Sequence, residues 1–165
     1  MVRHLPLLKQ EREDSCALAC LRMVLAARDA LLTEAELYER VPKEEGGTDL
    51  QELERLARTF GLTSNAQSAT PHQIRELLQS GCDVIAYINR SVFELASLSD
   101  LTPALRSLRV HSVVPILVTA KYITFHDPRL PAVVRKTIRR FQAAQRHLAA
   151  ACLVLSGPMP HDKKA

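Results

Sequence analysis

The sequence predicts an α+β domain in which helices come first along the chain and strands come later. Three observations support this prediction. Apolar residues recur at helical spacing in the earlier part of the chain, segments rich in β-branched and aromatic residues follow, and no internal repeat or interior linker separates the two parts. We expect a single domain over residues 1–157 and a frayed tail over residues 158–165.

Each of the first two helices has a recognisable start. The first is predicted over residues 15–30, capped by Asp14 or Ser15, because a short oxygen-bearing side chain accepts hydrogen bonds from the first-turn amides. Its surface is apolar on most sides, so we expect it to be buried. The second helix begins after Thr33, and Glu36 is placed to complete a capping box.

Two more helices follow a glycine-containing turn at residues 43–49. Asp49 is expected to cap the third helix and Gly61 to end it. The apolar stripe of this helix consists of Leu50, Leu53, Leu56, Ala57 and Phe60. The fourth helix is predicted over residues 70–81, with Thr70 as its cap.

The remaining apolar segments are predicted to be strands. They lie at residues 62–68, 83–89, 109–119, 122–127 and 150–156. Pro115 falls inside the third of these segments. Because proline cannot donate a backbone hydrogen bond, we expect an edge position or a bulge there. A late helix is predicted over residues 135–148, before the last strand.

Composition and charge argue against several classes of function. The net charge is +4, but Lys and Arg are interspersed with Asp and Glu, without a basic block or interleaved aromatics, which disfavours a nucleic-acid surface. No apolar run is long enough to span a membrane and the N-terminus lacks a signal peptide, so we expect a cytoplasmic protein. The four cysteines are then expected to be free thiols, and their spacing predicts no metal site.

Cys16 lies where a charged segment gives way to the apolar first helix. Two interpretations are open. Cysteine is often a small buried core residue. Alternatively, the positive end of the helix dipole and a nearby imidazolium could lower the pKa of the Cys16 thiol and make it a nucleophile. Cys20, Cys82 and Cys152 are interpreted as core residues.

Two of the six histidines, His111 and His126, fall in predicted strands, where a sheet can hold an imidazole ring in a fixed position. His111 is the stronger candidate for a base, because His126 directly precedes Asp127 and therefore points to the other face. An ordinary histidine at a strand end remains the alternative for His111. Asp127 could equally form a turn before Pro128.

Whether His111 and Asp127 share a face depends on the loop of the predicted hairpin. A three-residue loop pairs Val118 with Tyr122 and puts Asp127 on the same face as His111. A two-residue loop would put the two side chains on opposite faces. In the first case the carboxylate would orient the ring and favour its protonated form.

Gln10 is a candidate donor to a developing oxyanion. It precedes Cys16 by six residues, on a segment that could fold back and bring its carboxamide beside the thiolate. The backbone amide of Cys16, near the start of a helix, could act as a second donor.

Three segments resemble, in order, the double-glycine, bacteriocin-processing cysteine peptidases of the papain-like superfamily. They are "QEREDSCALACLRMVL", which contains Gln10 and Cys16, then "GGTDLQELERLARTFGL", then the His-led hairpin "HSVVPILVTAKYITFHDP". The resemblance covers residues 5–155 and departs from the family at Ala17, where a glycine is usual. It implies a papain-like fold, in which a helical subdomain packs on a twisted antiparallel sheet.

The resemblance also implies a mechanism. Cys16 would be the nucleophile, His111 the general base, Asp127 the orienting carboxylate and Gln10 the oxyanion donor. The family cuts leader peptides after a Gly-Gly pair, so a peptide or precursor protein is the expected substrate. A separately encoded ABC exporter is the expected partner, since no transporter segment follows in the sequence, and no metal or organic cofactor is required. A leader-binding module without hydrolysis and a thiol acyltransferase on the same fold remain alternatives.

Overall fold

The computed structural model describes residues 4–42, 47–100 and 108–157. Within these ranges the helices are α1 (Cys16–Ala26), α2 (Glu34–Tyr38), α3 (Leu50–Thr59), α4 (Pro71–Gln79), α5 (Ser91–Glu94) and α6 (Ile138–Arg146). The strands are β1 (Thr63–Ser68), β2 (Asp83–Asn89), β3 (Val110–Val118), β4 (Tyr122–His126), β5 (Val134–Thr137) and β6 (Ala151–Ser156). None of the helices in the described ranges has the length and apolarity that crossing a bilayer requires.

Local capping fixes the starts of three helices. Thr33 and Glu36 form a reciprocal capping box at α2, and Thr70 and Gln73 form another at α4. Asp49 caps α3 through its side chain. The three predicted caps are confirmed, because each depends on groups only three residues apart in the sequence.

The limits of α1 differ from the prediction. The helix ends earlier than expected, at Ala26, because Asp29 has a φ of +59°, a left-handed conformation that no right-handed helix accommodates. Ser15 occupies the cap position, but its hydroxyl donates to the carbonyl of Arg12 at 2.9 Å instead of capping the helix. Therefore the Ser15 side chain leaves the first-turn amides of α1 free.

The late helix is shorter than predicted. It begins at Ile138, because the start of the predicted 135–148 segment belongs to β5, which pairs with β4. Arg135 lies over the ring of Tyr122, 3.8 Å from its centroid. A charged strand is tolerated here because β5 is at the edge of the sheet, where charged side chains reach solvent. Residues 43–46 of the predicted turn and the predicted tail at 158–165 lie outside the described residues.

The six strands form one antiparallel sheet in the order β1-β6-β2-β3-β4-β5. Helices pack on it in two groups, and the predicted α+β fold class is confirmed. As predicted, one helix (α4) lies between the first two strands and another (α6) precedes the last strand, while α5 and β5 are elements that the sequence did not predict.

Apolar cores lie on both faces of the sheet. α1, α2 and α3 cover one face, where the sheet contributes Ile85, Tyr87 and Val114. α4, α5 and α6 cover the other face, where it contributes Val84, Ala86, Ile88 and Val113. Every residue of β2 is buried, as expected of a central strand with helices on both sides.

The hairpin between β3 and β4 has a longer turn than predicted. Val118 pairs with Ile123, not with Tyr122. A shift of one residue at the turn would, in a regular ladder, put His111 and Asp127 on opposite faces, because successive side chains of a strand alternate.

A bulge in β3 compensates for this shift. The register changes by one residue between Pro115 and Leu117, and the pairing beyond the bulge is the one predicted. As a result, Asp127 and His111 lie on one face of the sheet. The predicted bulge near Pro115 is confirmed, whereas an edge position is wrong, because β3 lies between β2 and β4.

A buried ion pair fixes the C-terminal end of α1 to the sheet. The guanidinium of Arg28 contacts the carboxylate of Asp83 at the start of β2, and both side chains are buried. Arg28 also donates to the carbonyl of Val24 at 2.9 Å. Removing one partner of such a pair is costly, since the other charge stays buried. The pair therefore holds the orientation of α1 relative to β2.

Candidate active site

Cys16 is the first residue of α1, where this helix packs against β3. Its thiol is half-buried. Burial alone would raise the pKa of this thiol. A hydrogen bond and the positive charge of His111, together with the backbone and side chain of Ser112, outweigh that effect and bring the pKa below its ordinary value. The thiolate, which is the reactive form, is therefore more accessible than in an ordinary cysteine.

His111, the second residue of β3, is hydrogen-bonded to Asp127. Its Nε2 lies 2.7 Å from Asp127 Oδ1, and both residues are 3% exposed. Burial would lower the pKa of His111, but the hydrogen bonds and negative charges of Asp127 and Cys16 raise it overall. The imidazolium form is therefore favoured.

Asp127 follows the last residue of β4 and has two functions in the structure. Burial would raise its pKa, but the hydrogen bond and charge of His111, with the amide of Arg129 and the charge of Arg90, lower it overall. The Asp127 carbonyl accepts from the amide of Leu130 at 3.0 Å. Asp127 therefore forms a turn, as the alternative interpretation expected, and also contacts His111.

The three groups form a row of thiol, imidazole and carboxylate. Since Nε2 of His111 faces Asp127, Nδ1 is the ring nitrogen left for Cys16. An anionic sulfur, a cationic ring and an anionic carboxylate then alternate in charge. Such a row can supply a nucleophile and a proton donor in one place.

His126 does not contribute to this row. Its Nε2 lies 3.0 Å from the carbonyl of Leu5, in the N-terminal segment. Burial lowers its pKa, which favours the neutral ring. The choice of His111 over His126 therefore agrees with the positions of both rings.

Gln10 lies next to the end of β4 but directs its amide nitrogen at its own loop. Its backbone N–H donates to the carbonyl of Pro128 at 2.8 Å. Its Nε2 donates to the carbonyls of Arg12 and Glu13. The segment packs against the end of β4, while the predicted approach of this carboxamide to the thiolate and to a substrate oxygen stays a prediction.

The loop that carries Gln10 is fixed by side chains that the sequence analysis did not identify. Both carboxylate oxygens of buried Glu34 accept from the amide of Glu11, at 3.1 and 2.9 Å. Arg129 donates to the carbonyl of Glu13 at 3.0 Å. These contacts span long sequence separations, so no local pattern could have revealed them.

Gly47 lies against the same loop. Its φ is +90°, and a Cβ there would lie 2.6 Å from the carbonyl oxygen of Asp14, too close for any other residue. Gly47, the second glycine of the GGT segment, is therefore required because its backbone packs against Asp14, two residues before Cys16.

Two of the other three cysteines, Cys20 and Cys152, differ from Cys16 in both burial and pKa. Cys20 is fully buried, and its pKa is raised well above the ordinary value by that burial first. Burial also raises the pKa of Cys152 to about 12. Cys82 is half-buried near the start of β2. The two buried thiols are thus core residues as predicted, and Cys16 has a lowered pKa.

Three solved structures with the same fold are described as proteases, peptidases or peptidase domains. The double-glycine-motif protease of an AMS/PCAT transporter, solved with a leader peptide, is 18% identical over 94% of each chain, with a TM-score of 0.70. A putative C39-like peptidase from Bacillus anthracis is 13% identical over 94% of this chain and 96% of that one, with a TM-score of 0.72. The peptidase domain of Streptococcus ComA, a bifunctional ABC transporter involved in quorum sensing, is 18% identical over 94% of this chain and all of that one, with a TM-score of 0.71. At these identities the likeness shows a shared fold.

Sequence comparison identifies the family. No protein with a curated description matches the chain. The sequence model of the peptidase C39 family matches residues 4–94, more than half of the chain, and this span includes Gln10 and Cys16. His111 and Asp127 lie beyond it, and the structural comparisons cover 94% of the chain. With the helical half matched by sequence and the whole fold matched by structure, the chain belongs to the peptidase C39 family.

Proposed function

We propose that the chain is a cysteine endopeptidase that cleaves after small residues of the Gly-Gly type in leader peptides. The observation that carries the proposal is the row of Cys16, His111 and Asp127, in which the pKa shifts favour a thiolate and an imidazolium. The catalytic unit is the single domain predicted over residues 1–157. Cys16 is the nucleophile, His111 the acid and base, Asp127 the orienting group and Gln10 the oxyanion donor.

The first half of the reaction forms an acyl-enzyme. The Cys16 thiolate attacks the scissile carbonyl carbon and makes a C–S bond, while the carbonyl π electrons move to oxygen. The oxyanion is stabilised by the amide of Cys16 and, after its carboxamide turns from the loop carbonyls, by Gln10. When the C–N bond breaks, His111 gives its Nδ1 proton to the leaving amine.

The second half releases the acyl group. Neutral His111 takes a proton from water, which attacks the thioester carbon and displaces the Cys16 thiolate. Asp127 holds the ring through Nε2 in both halves of the reaction. Nδ1 is therefore the nitrogen that faces the thiol, the leaving amine and the water in turn. The site returns to the thiolate–imidazolium state.

The proposed substrate is a precursor peptide with two glycines before the cut. A narrow cleft selects glycine there, because a chain without Cβ atoms can pass close to the protein backbone. Two relatives support this choice, one a double-glycine-motif protease solved with its leader peptide and the other the peptidase domain of an ABC transporter. A separately encoded exporter and a cytoplasmic site of action belong to the same proposal.

The test is incubation with a synthetic precursor peptide that contains one Gly-Gly pair, followed by mass spectrometry of the products. The expected product ends in Gly-Gly with a free carboxylate, and a matched peptide with Val-Val in that place stays uncut. An amide of an added amine in place of the free acid would support the acyltransferase alternative. Binding without any product would support the leader-binding alternative, and either result would overturn the proposal.

A further inference from the structure

Two buried hydroxyl groups near Cys16 make no well-formed hydrogen bond with any described residue. They are the phenol oxygen of Tyr87 and the Oγ of Ser112. Tyr87 is 7% exposed and Ser112 is 1% exposed. Buried hydroxyls are hydrogen-bonded in most proteins, because an unpaired one loses its bonds to water without replacement. This pair therefore requires an explanation.

The two hydroxyls come from directly paired residues. Tyr87 in β2 is opposite Ser112 in β3, so both side chains lie on one face of the sheet. That face packs against α1, and Tyr87 belongs to the same core as Cys20. Ser112 follows His111, and the two side chains leave the strand on opposite faces. Both residues lower the pKa of the Cys16 thiol, so this thiol lies next to two consecutive residues of β3.

The charges at this point determine which way the hydroxyl protons point. Burial first, and then the charge of Cys16, raises the pKa of Tyr87, so the phenol keeps its proton and can act as a donor. Ser112 contributes to the lowered pKa of Cys16 through both its backbone and its side chain. A thiolate has several lone pairs, and His111 occupies one direction only. The sulfur can therefore accept a further hydrogen bond from Ser112.

We propose that Ser112 is a second hydrogen-bond donor to the Cys16 thiolate and that Tyr87 is a positioning residue for it. In the thiolate state, the Tyr87 hydroxyl would donate to Ser112 Oγ, and the Ser112 hydroxyl would donate to the sulfur. The relay is strongest when the sulfur is ionised, since a hydrogen bond to a charged acceptor is about twice as strong as a neutral one. It stabilises the ion pair from the side opposite His111. The inference rests on the proposed role of Cys16 as the nucleophile.

The test is the rate of iodoacetamide alkylation of Cys16 as a function of pH, which needs no substrate. Ser112→Ala is expected to move the midpoint of the profile upward by about one pH unit, the equivalent of one charge-assisted hydrogen bond. Tyr87→Phe is expected to give a smaller upward shift. Ser64→Ala is the matched control, because Ser64 is also buried in a strand but donates to the carbonyl of Glu54 at 3.0 Å. It should leave the midpoint unchanged.

The double variant distinguishes a relay from two separate effects. If Tyr87 acts through Ser112, the Ser112→Ala and Tyr87→Phe changes together give the same midpoint as Ser112→Ala alone. Additive shifts would overturn the relay. An unchanged midpoint in Ser112→Ala would overturn the proposal while leaving the peptidase assignment intact. Should Ser112→Ala fail to fold, Tyr87→Phe decides, since it removes a single atom. If unmodified protein shows no preference for Cys16, the proposed function fails first.

Discussion

One turn of α1 separates Cys16 from Cys20, and the two thiols have opposite acid–base character. Burial, followed by the negative charges of Cys16 and Asp127, raises the pKa of Cys20 well above its ordinary value. Burial also acts on Cys16, but its contacts with His111 and Ser112 outweigh it and lower the pKa. The same residue type on the same helix thus has a lowered pKa at Cys16 and a raised pKa one turn later, at Cys20.

The difference is supplied by the sheet. A helix dipole acts mainly within the first turn and is weaker than a hydrogen bond to a charged group. At Cys16 the helix start is combined with two consecutive side chains of β3, whereas Cys20 meets apolar side chains of the core. Reactivity in this protein therefore depends on where α1 meets β3, and the following predictions test that dependence.

Cys16→Ala should give the largest loss of peptide cleavage, whereas Cys20→Ala should leave cleavage almost unchanged. Peptide cleavage should stop, because no other group takes over the nucleophilic attack. The free energy of unfolding should change by about 1 kcal/mol or less, since the side chain is small and half-buried. Product formation and urea unfolding measure the two quantities. Residual cleavage at more than background would exclude Cys16 as the nucleophile.

His111→Ala should make Cys16 resemble Cys20. The pKa of the thiol should rise, because burial is then opposed by Ser112 alone. We expect turnover to fall by about 10⁴-fold, the upper end of the range for a general acid–base group. His126→Ala is the control, since that ring contacts Leu5 outside the site. Equal losses in the two variants would show that the effect is structural.

Gln10→Ala tests the oxyanion donor on the N-terminal side of Cys16. If the carboxamide reaches the oxyanion, turnover should fall by about 10²–10³-fold, with little change in the alkylation profile of the thiol. Glu11→Ala is the control on the same loop, because Glu34 binds the backbone amide of Glu11, which alanine retains. Unchanged turnover in Gln10→Ala would assign Gln10 to loop structure alone, as its contacts with Arg12 and Glu13 suggest.

Features of the fold and the site that depend on residues close together in the sequence were predictable. Caps such as Thr33, Asp49 and Thr70 were predicted because donor and acceptor are three residues apart. The position of Cys16 at a helix start follows from the change from charged to apolar residues. Ser112 and Tyr87 were not identified, since their neighbourhood depends on the pairing of β2 with β3.

The contact between His111 and Asp127 was predicted through an incomplete argument. The assumed turn was one residue too short, and the bulge next to Pro115 shifts the register back by one. The proline signalled an irregularity, but its size and direction depend on how β3 packs between two neighbours, which a single sequence does not contain. His111 and Asp127 therefore share a face because the longer turn and the bulge each shift the strand register by one residue, and the two shifts cancel.

The pH profile of cleavage should show over which range Cys16 differs from an ordinary thiol. The pKa of Cys16 is lowered and that of His111 is raised, and both shifts favour the thiolate–imidazolium pair that the proposed mechanism needs. On the acidic side kcat/KM should rise about tenfold per pH unit until Cys16 ionises, and on the alkaline side it should fall once His111 loses its proton. Activity that still rises towards pH 9 would mean that the thiol titrates at its ordinary value.

Cys20→Ala should give the smallest change in activity and complete the comparison. Turnover and the alkylation profile of Cys16 should stay within about twofold, because the Cys20 thiol remains protonated and neutral. The free energy of unfolding should fall by about 1 kcal/mol, since a fully buried sulfur is removed from the core between α1 and the sheet. Urea unfolding and peptide cleavage on the same sample measure both. A large loss of turnover at unchanged stability would mean that the second turn of α1 contributes to the site, and that the distinction between the two thiols is not set by β3 alone.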